Sequence, residues 1–159
     1  MGVFHIVFYE PRIPGNTGAA ISLAACTGST LHLVEPLGFN FSDAHLKRAG
    51  LDYHDLADLQ VHPNFDDLLE NVPDQRIFAF TGHTSNSFAE VSYRPGDVLL
   101  FGPEPTGLPP EIIAHPSVDK ALRIPMMPHL RSLNLANSAS IAVYEAWRQN
   151  DFAGASDVS

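Results

Sequence analysis

The chain has 159 residues, an apolar fraction of 45% and a formal net charge of −9. That suits one domain with its own core and excludes a general nucleic-acid coat protein, whose phosphate binding needs clustered Lys and Arg. No apolar stretch nears the roughly 20 residues that span a bilayer, the first residues lack the basic flank of a secretion signal, and one cysteine, Cys26, excludes an internal disulfide. The expectation is a cytoplasmic protein without a membrane segment.

In chain order, residues 3–9 read as a buried strand, and Asn16 then begins a helix running to about Thr27 that Gly28 stops. Within that helix Cys26, among Leu23, Ala24 and Ala25, reads as a small core residue. Residues 31–34 form a second strand, inside which His32 alternates with apolar neighbours. Ser42 caps a short helix through Lys47 and Arg48, closed by Gly50. A strand over 56–61 and a helix over 66–71 follow, within an acidic stretch from Asp52 to Glu70 that reads as a solvated face. Residues 76–81 and 98–101 are buried strands, 109–114 a short helix, 121–124 the last strand and 133–149 the closing helix. Strands alternating with helices predict an α/β fold, a mainly parallel sheet with helices on both faces. Residues 1–150 make one domain, and 151–159, small and polar, a flexible tail. Eight histidines show no metal-ligand spacing, so no metal is expected.

Three strands run into Gly/Pro/Asn loops: Val7-Phe-Tyr-Glu-Pro-Arg-Ile-Pro-Gly-Asn-Thr-Gly18, Val98-Leu-Leu-Phe-Gly-Pro-Glu-Pro-Thr-Gly-Leu-Pro109, and the segment from Ile124 to Asn134. Prolines on either side of Met126-Met127 keep that last loop out of helix and sheet, so its main-chain groups need other partners. In α/β proteins ligands gather beyond the carboxyl ends of strands, so three such loops suggest one composite site. Neither a Gly-x-Gly-x-x-Gly nor a Gly-x-x-x-x-Gly-Lys is present, so the usual dinucleotide and triphosphate signatures are missing. The closing helix carries Ala136, Ser138, Ala139, Ser140, Ala142 and Ala146, small enough for another backbone to approach closely. Its Ala139, Val143 and Trp147 lie on one stripe.

Tyr9-Glu-Pro-Arg-Ile-Pro-Gly-Asn-Thr-Gly18, Lys47-Arg-Ala-Gly-Leu-Asp-Tyr-His54, Phe101-Gly-Pro-Glu104, and Arg123-Ile-Pro-Met126 with Arg131-Ser-Leu-Asn-Leu135 resemble the SPOUT class of RNA methyltransferases. They are most similar to its minimal branch, the tRNA (cytidine/uridine-2′-O-)-methyltransferases of the wobble nucleotide, and the likeness runs in one register to Gln149. The resemblance implies a C-terminal trefoil knot, a homodimer, S-adenosylmethionine bound at the knot, and the anticodon region of tRNA as substrate; the stripe Ala139, Val143 and Trp147 is then expected to form much of the two-fold interface. It further implies a cofactor held largely by backbone of Phe80, Gly102, Ile124 and Ser132, with Thr81, Met126 and Leu133 lining it. The catalytic positions it implies are Asn16, Glu104, Arg131, Ser132, Asn134 and Tyr144, and the RNA contacts Arg12, Lys47, Arg48 and Arg131.

One departure stands out. The family's first motif reads Asn-Thr-Gly-x-x-x-Arg, and here the arginine position is Ser22, shorter and uncharged. Either Arg12 or Arg131 substitutes for it, or the chain is a catalytically weakened RNA-binding module of the same fold.

Overall fold

The computed structural model of the chain describes residues 3–40, 58–128 and 133–156. Six strands, β1 (His5–Tyr9), β2 (Thr30–Val34), β3 (Leu59–His62), β4 (Ile77–Phe80), β5 (Val98–Phe101) and β6 (Lys120–Leu122), lie in the order β3-β2-β1-β5-β4-β6. Every neighbouring pair is parallel. Among the described residues the helices are α1 (Pro14–Thr27), α2 (Phe65–Asn71), α3 (Pro110–Ile113) and α4 (Leu135–Gln149), with one 3₁₀ turn at Phe88–Glu90 that the sequence did not signal. The strand over 56–61 becomes Leu59–His62 and the one over 121–124 becomes Lys120–Leu122; the helix expected around Lys47 and Arg48 lies outside the described residues.

Alternation along each strand assigns the two faces. Phe4, Ile6, Phe8, Leu31, Leu33, Phe78, Phe80, Leu99 and Phe101 form one buried cluster with α1 and α4. Val7, Val34, Ile77, Ala79, Val98 and Leu100 form the other with α2 and α3. Central strands covered on both sides read as continuous apolar runs because neither face meets water. α1 and α4 pack on each other through Ala20, Ala24, Ala139, Ala142 and Ala146, all buried. Ala139, Val143 and Trp147 are therefore spent inside the chain. The stripe expected to join two copies is core, because the small residues let α4 settle onto α1 and the sheet.

Two further expectations change. Cys26 is exposed, since it falls on the side of α1 opposite the sheet. Residues 151–155 fold back on α4: the Trp147 indole donates to Ala153 O at 3.0 Å and packs edge-on against Phe152.

The histidines are not all scattered. His5, His32 and His62 form a slanted row on β1, β2 and β3, with Nδ1 of His5 2.9 Å from Nε2 of His32 and Nδ1 of His32 2.9 Å from Nε2 of His62. His62 Nδ1 ends the row on Asp67 Oδ2 at 3.3 Å, from the first turn of α2. A carboxylate can only accept, so His62 donates from Nδ1 to Asp67. Sequence separations of 27 and 30 residues hide the row until the strands pair in parallel.

His32 is held neutral in the fold. Burial, then the neighbouring His5 and His62, push it from 6.5 down to about 3. The unfolded chain takes up that proton near 6.5, so the stability present above pH 6.5 is lost as the pH falls towards 3. The slope is at most about 1.4 kcal/mol per pH unit from this group. Urea midpoints measured from pH 7 to pH 4.5 are expected to fall for the native chain and to fall less steeply for His32→Gln; equal slopes would contradict the assignment.

Candidate active site

The strand order reverses between β1 and β5. From there the chain leaves β1 towards α1 on one face and leaves β5 towards α3 on the other, which opens a crevice at the carboxyl end of the sheet. Glu104, in the β5 connection, reaches across it. Its Oε1 accepts from the Arg12 amide at 2.9 Å, and its Oε2 from the Ile13 amide at 3.2 Å and from Asn16 Nδ2 at 2.8 Å. Asn16 Oδ1 in turn accepts from Asn134 Nδ2 at 2.9 Å, and Asn134 Oδ1 accepts from Asn137 N at 3.2 Å. Both amides are thus oriented by partners at each end, and the chain of bonds ties the starts of α1 and α4 to one carboxylate.

α1 needs that carboxylate. The helix begins at Pro14, and its N-cap, Ile13, has no side chain to offer the first amides. Asn16 is not the cap that the sequence suggested; it sits inside the first turn, buried, aimed at Glu104 and Asn134. Negative charge at a helix N-terminus is favourable, and charge-assisted bonds are among the stronger kind. Asn134, by contrast, is the N-cap of α4. Beside Asn16, Thr17 Oγ1 is buried and without a hydrogen-bond partner, alone among the buried side-chain polar atoms of the described residues.

Of the expected catalytic residues the structure brings Asn16, Glu104 and Asn134 together, while Arg131 and Ser132, with Lys47 and Arg48, lie outside the described residues. Tyr144 stands apart. It is 42% exposed on the outer side of α4, ten residues and so about 15 Å along the helix from Asn134. Arg12 contributes its amide to Glu104 and leaves its side chain exposed. Ser22 is exposed on the α1 face that also carries Gly15, Ala19 and Cys26.

Of the expected cofactor residues Ser132 lies outside the described residues, and the others lie at or beyond the ends of β4, β5 and β6. Phe80 stacks on Phe101 with centroids 4.7 Å apart, and Ile124 packs on the same apolar cluster as Phe80 and Leu135. The Thr81 amide is engaged by Leu122 O at 2.9 Å. Residues 124–127 belong to neither helix nor strand, Met126 is half-buried and Leu133 is 39% exposed. Apolar side chains beside irregular main chain suit an adenosyl group, whose ring needs flat contact and whose edge needs backbone partners. Gly102 lies just beyond β5, against its own loop. A Cβ there would fall on the amide nitrogen of Leu108 and the carbonyl carbon of Gly107, so the missing side chain makes room for the loop's own backbone.

Tyr9, Glu10, His83, Thr106 and Glu111 had no site role in the sequence analysis. With Arg12 they help to line a cavity of about 700 Å³ in the same crevice. The signal that was present is the placement of Tyr9-Glu10 directly before the Pro-rich turn of the first motif. Among the described residues no cluster of three His, Cys, Asp or Glu is placed to hold a metal ion.

Comparison with known proteins places this geometry. The model of the SpoU rRNA Methylase family matches residues 3–144. A tRNA (cytidine(34)-2′-O)-methyltransferase of Methylovorus glucosotrophus (strain SIP3-4) is 52% identical over 96% of this chain and 99% of its own length. A solved structure concerned with 2-OH methylation of C/U34 on tRNA is 47% identical with a TM-score of 0.86, covering 93% of this chain and 96% of that one. An AdoMet-bound rRNA methyltransferase from Sinorhizobium meliloti is 26% identical with a TM-score of 0.80, over 92% of this chain and 56% of that one.

Proposed function

The chain belongs to the SpoU rRNA Methylase family, and from that membership we propose that it is an S-adenosylmethionine-dependent tRNA methyltransferase acting on the 2′-hydroxyl of the wobble ribose, cytidine or uridine, in the cytoplasm. The observation that carries the proposal is the hydrogen-bonded chain Asn134–Asn16–Glu104 at the β1/β5 crevice, in a protein about half identical to a relative named for that reaction.

S-adenosylmethionine supplies an electrophilic methyl group on a sulfonium. Phe80, Thr81, Gly102, Ile124, Met126, Ser132 and Leu133 would hold it. As the 2′-oxygen bonds to the methyl carbon the carbon–sulfur bond breaks, and the hydroxyl proton passes to a base or to water. The residues of this chain act chiefly by position, since holding two reactants in line can account for much of such a rate. Asn16 and Asn134 have fixed amides beside the crevice, and Arg131 is a phosphate or ribose contact. With Ser22 at the arginine position, drawing the proton from the 2′-oxygen falls to Arg12 or Arg131.

A homodimer and a trefoil knot complete the reading. In support of the knot, the end of β6 is embraced by the β4–β5 connection: the Arg123 amide donates to Asn86 O at 2.7 Å and its carbonyl accepts from Phe88 N at 3.0 Å. That connection is also tied to α4, where Gln149 Oε1 accepts from Tyr93 N at 2.9 Å and Gln149 Nε2 donates to Val91 O at 3.0 Å. In support of the dimer, the outer sides of α1 and α4 expose Ile13, Ile141 and Tyr144 beside Gly15, Ala19 and Ser22. A second copy laid there would bring Tyr144 and position 22 to a shared site.

Ser22 keeps a second reading in view, the catalytically weakened RNA-binding module. One measurement separates the two. Mass spectrometry of nucleosides from tRNA incubated with protein and S-adenosylmethionine is expected to show a 2′-O-methylated wobble nucleoside, and Ser22→Arg to raise the single-turnover rate at least tenfold if no other residue has replaced the arginine. A fast parent with no gain would assign the role to Arg12 or Arg131; no transfer from either protein, with tRNA still bound, would leave only the binding module.

Sedimentation tests the dimer. The native chain is expected to sediment as a dimer at micromolar concentration and Ile141→Glu as a folded monomer with methyl transfer reduced at least tenfold. A native monomer would remove the shared site.

A further inference from the structure

The cavity at the crevice has a chemistry that methyl transfer to ribose does not use. Its volume of about 700 Å³ suits a nucleotide-sized group. It adjoins the reaction centre through Arg12, whose amide is held by Glu104 while its side chain lines the cavity, and through Thr106, two residues beyond Glu104.

The wall at the end of β1 is unusually fixed. Glu10 stands at φ 49, in the left-handed region where a residue with a side chain seldom sits. Its amide is pinned to Val34 O at 2.9 Å. Tyr9 packs edge-on against Phe65 with centroids 6.1 Å apart. The Glu10 carboxylate can only accept. Glu111 adds a second acceptor-only group, and Arg12 is the permanent cation among the lining side chains. A fitting ligand therefore offers a hydrogen-bond donor to Glu10 and an anion to Arg12. Within RNA, cytosine through N4, adenine through N6 and guanine through N1 and N2 offer such donors. Uracil and hypoxanthine put a carbonyl oxygen where cytosine and adenine carry the amine, so a carboxylate aimed at that position favours the amino-bearing member of each pair.

Building on the assignment of tRNA as substrate, we propose that this cavity is a base pocket selecting an amino-bearing base, with Glu10 accepting its exocyclic amine and Arg12 contacting its phosphate. The base comes either from the wobble nucleotide itself or from a neighbour in the anticodon. Glu10 would then set which tRNAs are bound, apart from the Asn134–Asn16–Glu104 chain beside it.

The test is binding of anticodon stem-loop RNAs by fluorescence anisotropy. One pair carries cytidine or uridine at the wobble position, and further pairs carry adenosine or inosine at each adjacent position. The native protein is expected to favour the amino-bearing base by about tenfold at one position, which identifies the source. Glu10→Gln, close in shape but able to donate as well as accept, is expected to bring that ratio within about twofold. Arg12→Gln is expected to weaken all the RNAs alike and to lower the salt slope by about one. No discrimination by the native protein at any position, or a ratio that Glu10→Gln leaves unchanged, would overturn the pocket. Methyl transfer on the same RNAs reports separately on the enzyme: transfer without a Glu10 effect removes only the pocket, and a Glu10-dependent preference without transfer removes only the enzyme.

Discussion

The carboxylate of Glu104 is the constraint on which the functional end of this molecule depends. A parallel sheet whose strand order reverses between β1 and β5 must open there, because the chain departs to opposite faces. Three donors at the entry to α1, the Arg12 and Ile13 amides and the Asn16 side chain, face that gap. Glu104 closes the gap at three donors, and through Asn16 and Asn134 it also fixes where α4 starts. Structure and chemistry then share the same atoms: what holds the two helices at the crevice also orders the polar groups that face it.

Packing follows from the same placement. α1 and α4 lie side by side over one face, and the run of alanines between them allows close approach without voids. Their outer sides are left with small and moderately apolar residues, Ile13, Ala19, Ser22, Ile141 and Tyr144. On the other face His32 is buried among apolar residues and satisfied only by its histidine neighbours, so that sheet tolerates neutral imidazoles and resists charged ones.

Much of this was legible in the sequence because it rests on local pattern. The apolar runs of β4 and β5, Gly28 as the stop of α1 and the Pro-rich turns after β1 and β6 announce themselves within a few residues. Asn16, Glu104 and Asn134 were singled out from their motifs, although their mutual bonds, 88 and 118 residues apart in sequence, were not. What was illegible depends on long-range geometry. Whether Val143 and Trp147 face the chain's own core or a partner cannot be read from a helical stripe, because both readings demand the same apolar spacing. The side of α1 on which Cys26 falls is ambiguous for the same reason, in a helix whose small residues carry little directional signal. The close approach of Gly107 and Leu108 to Gly102 is hidden as well, since it depends on how the loop after β5 folds back.

The dependence on Glu104 is measured most directly by a double-mutant cycle on stability with Asn16→Ala and Glu104→Ala. If the carboxylate holds α1 through Asn16, the two substitutions share a partner and couple by about 0.5–3 kcal/mol. Single-turnover methyl transfer by both single variants should fall together, while S-adenosylmethionine affinity changes little. Strictly additive stabilities, with methyl transfer unaffected by the loss of Glu104, would contradict the account.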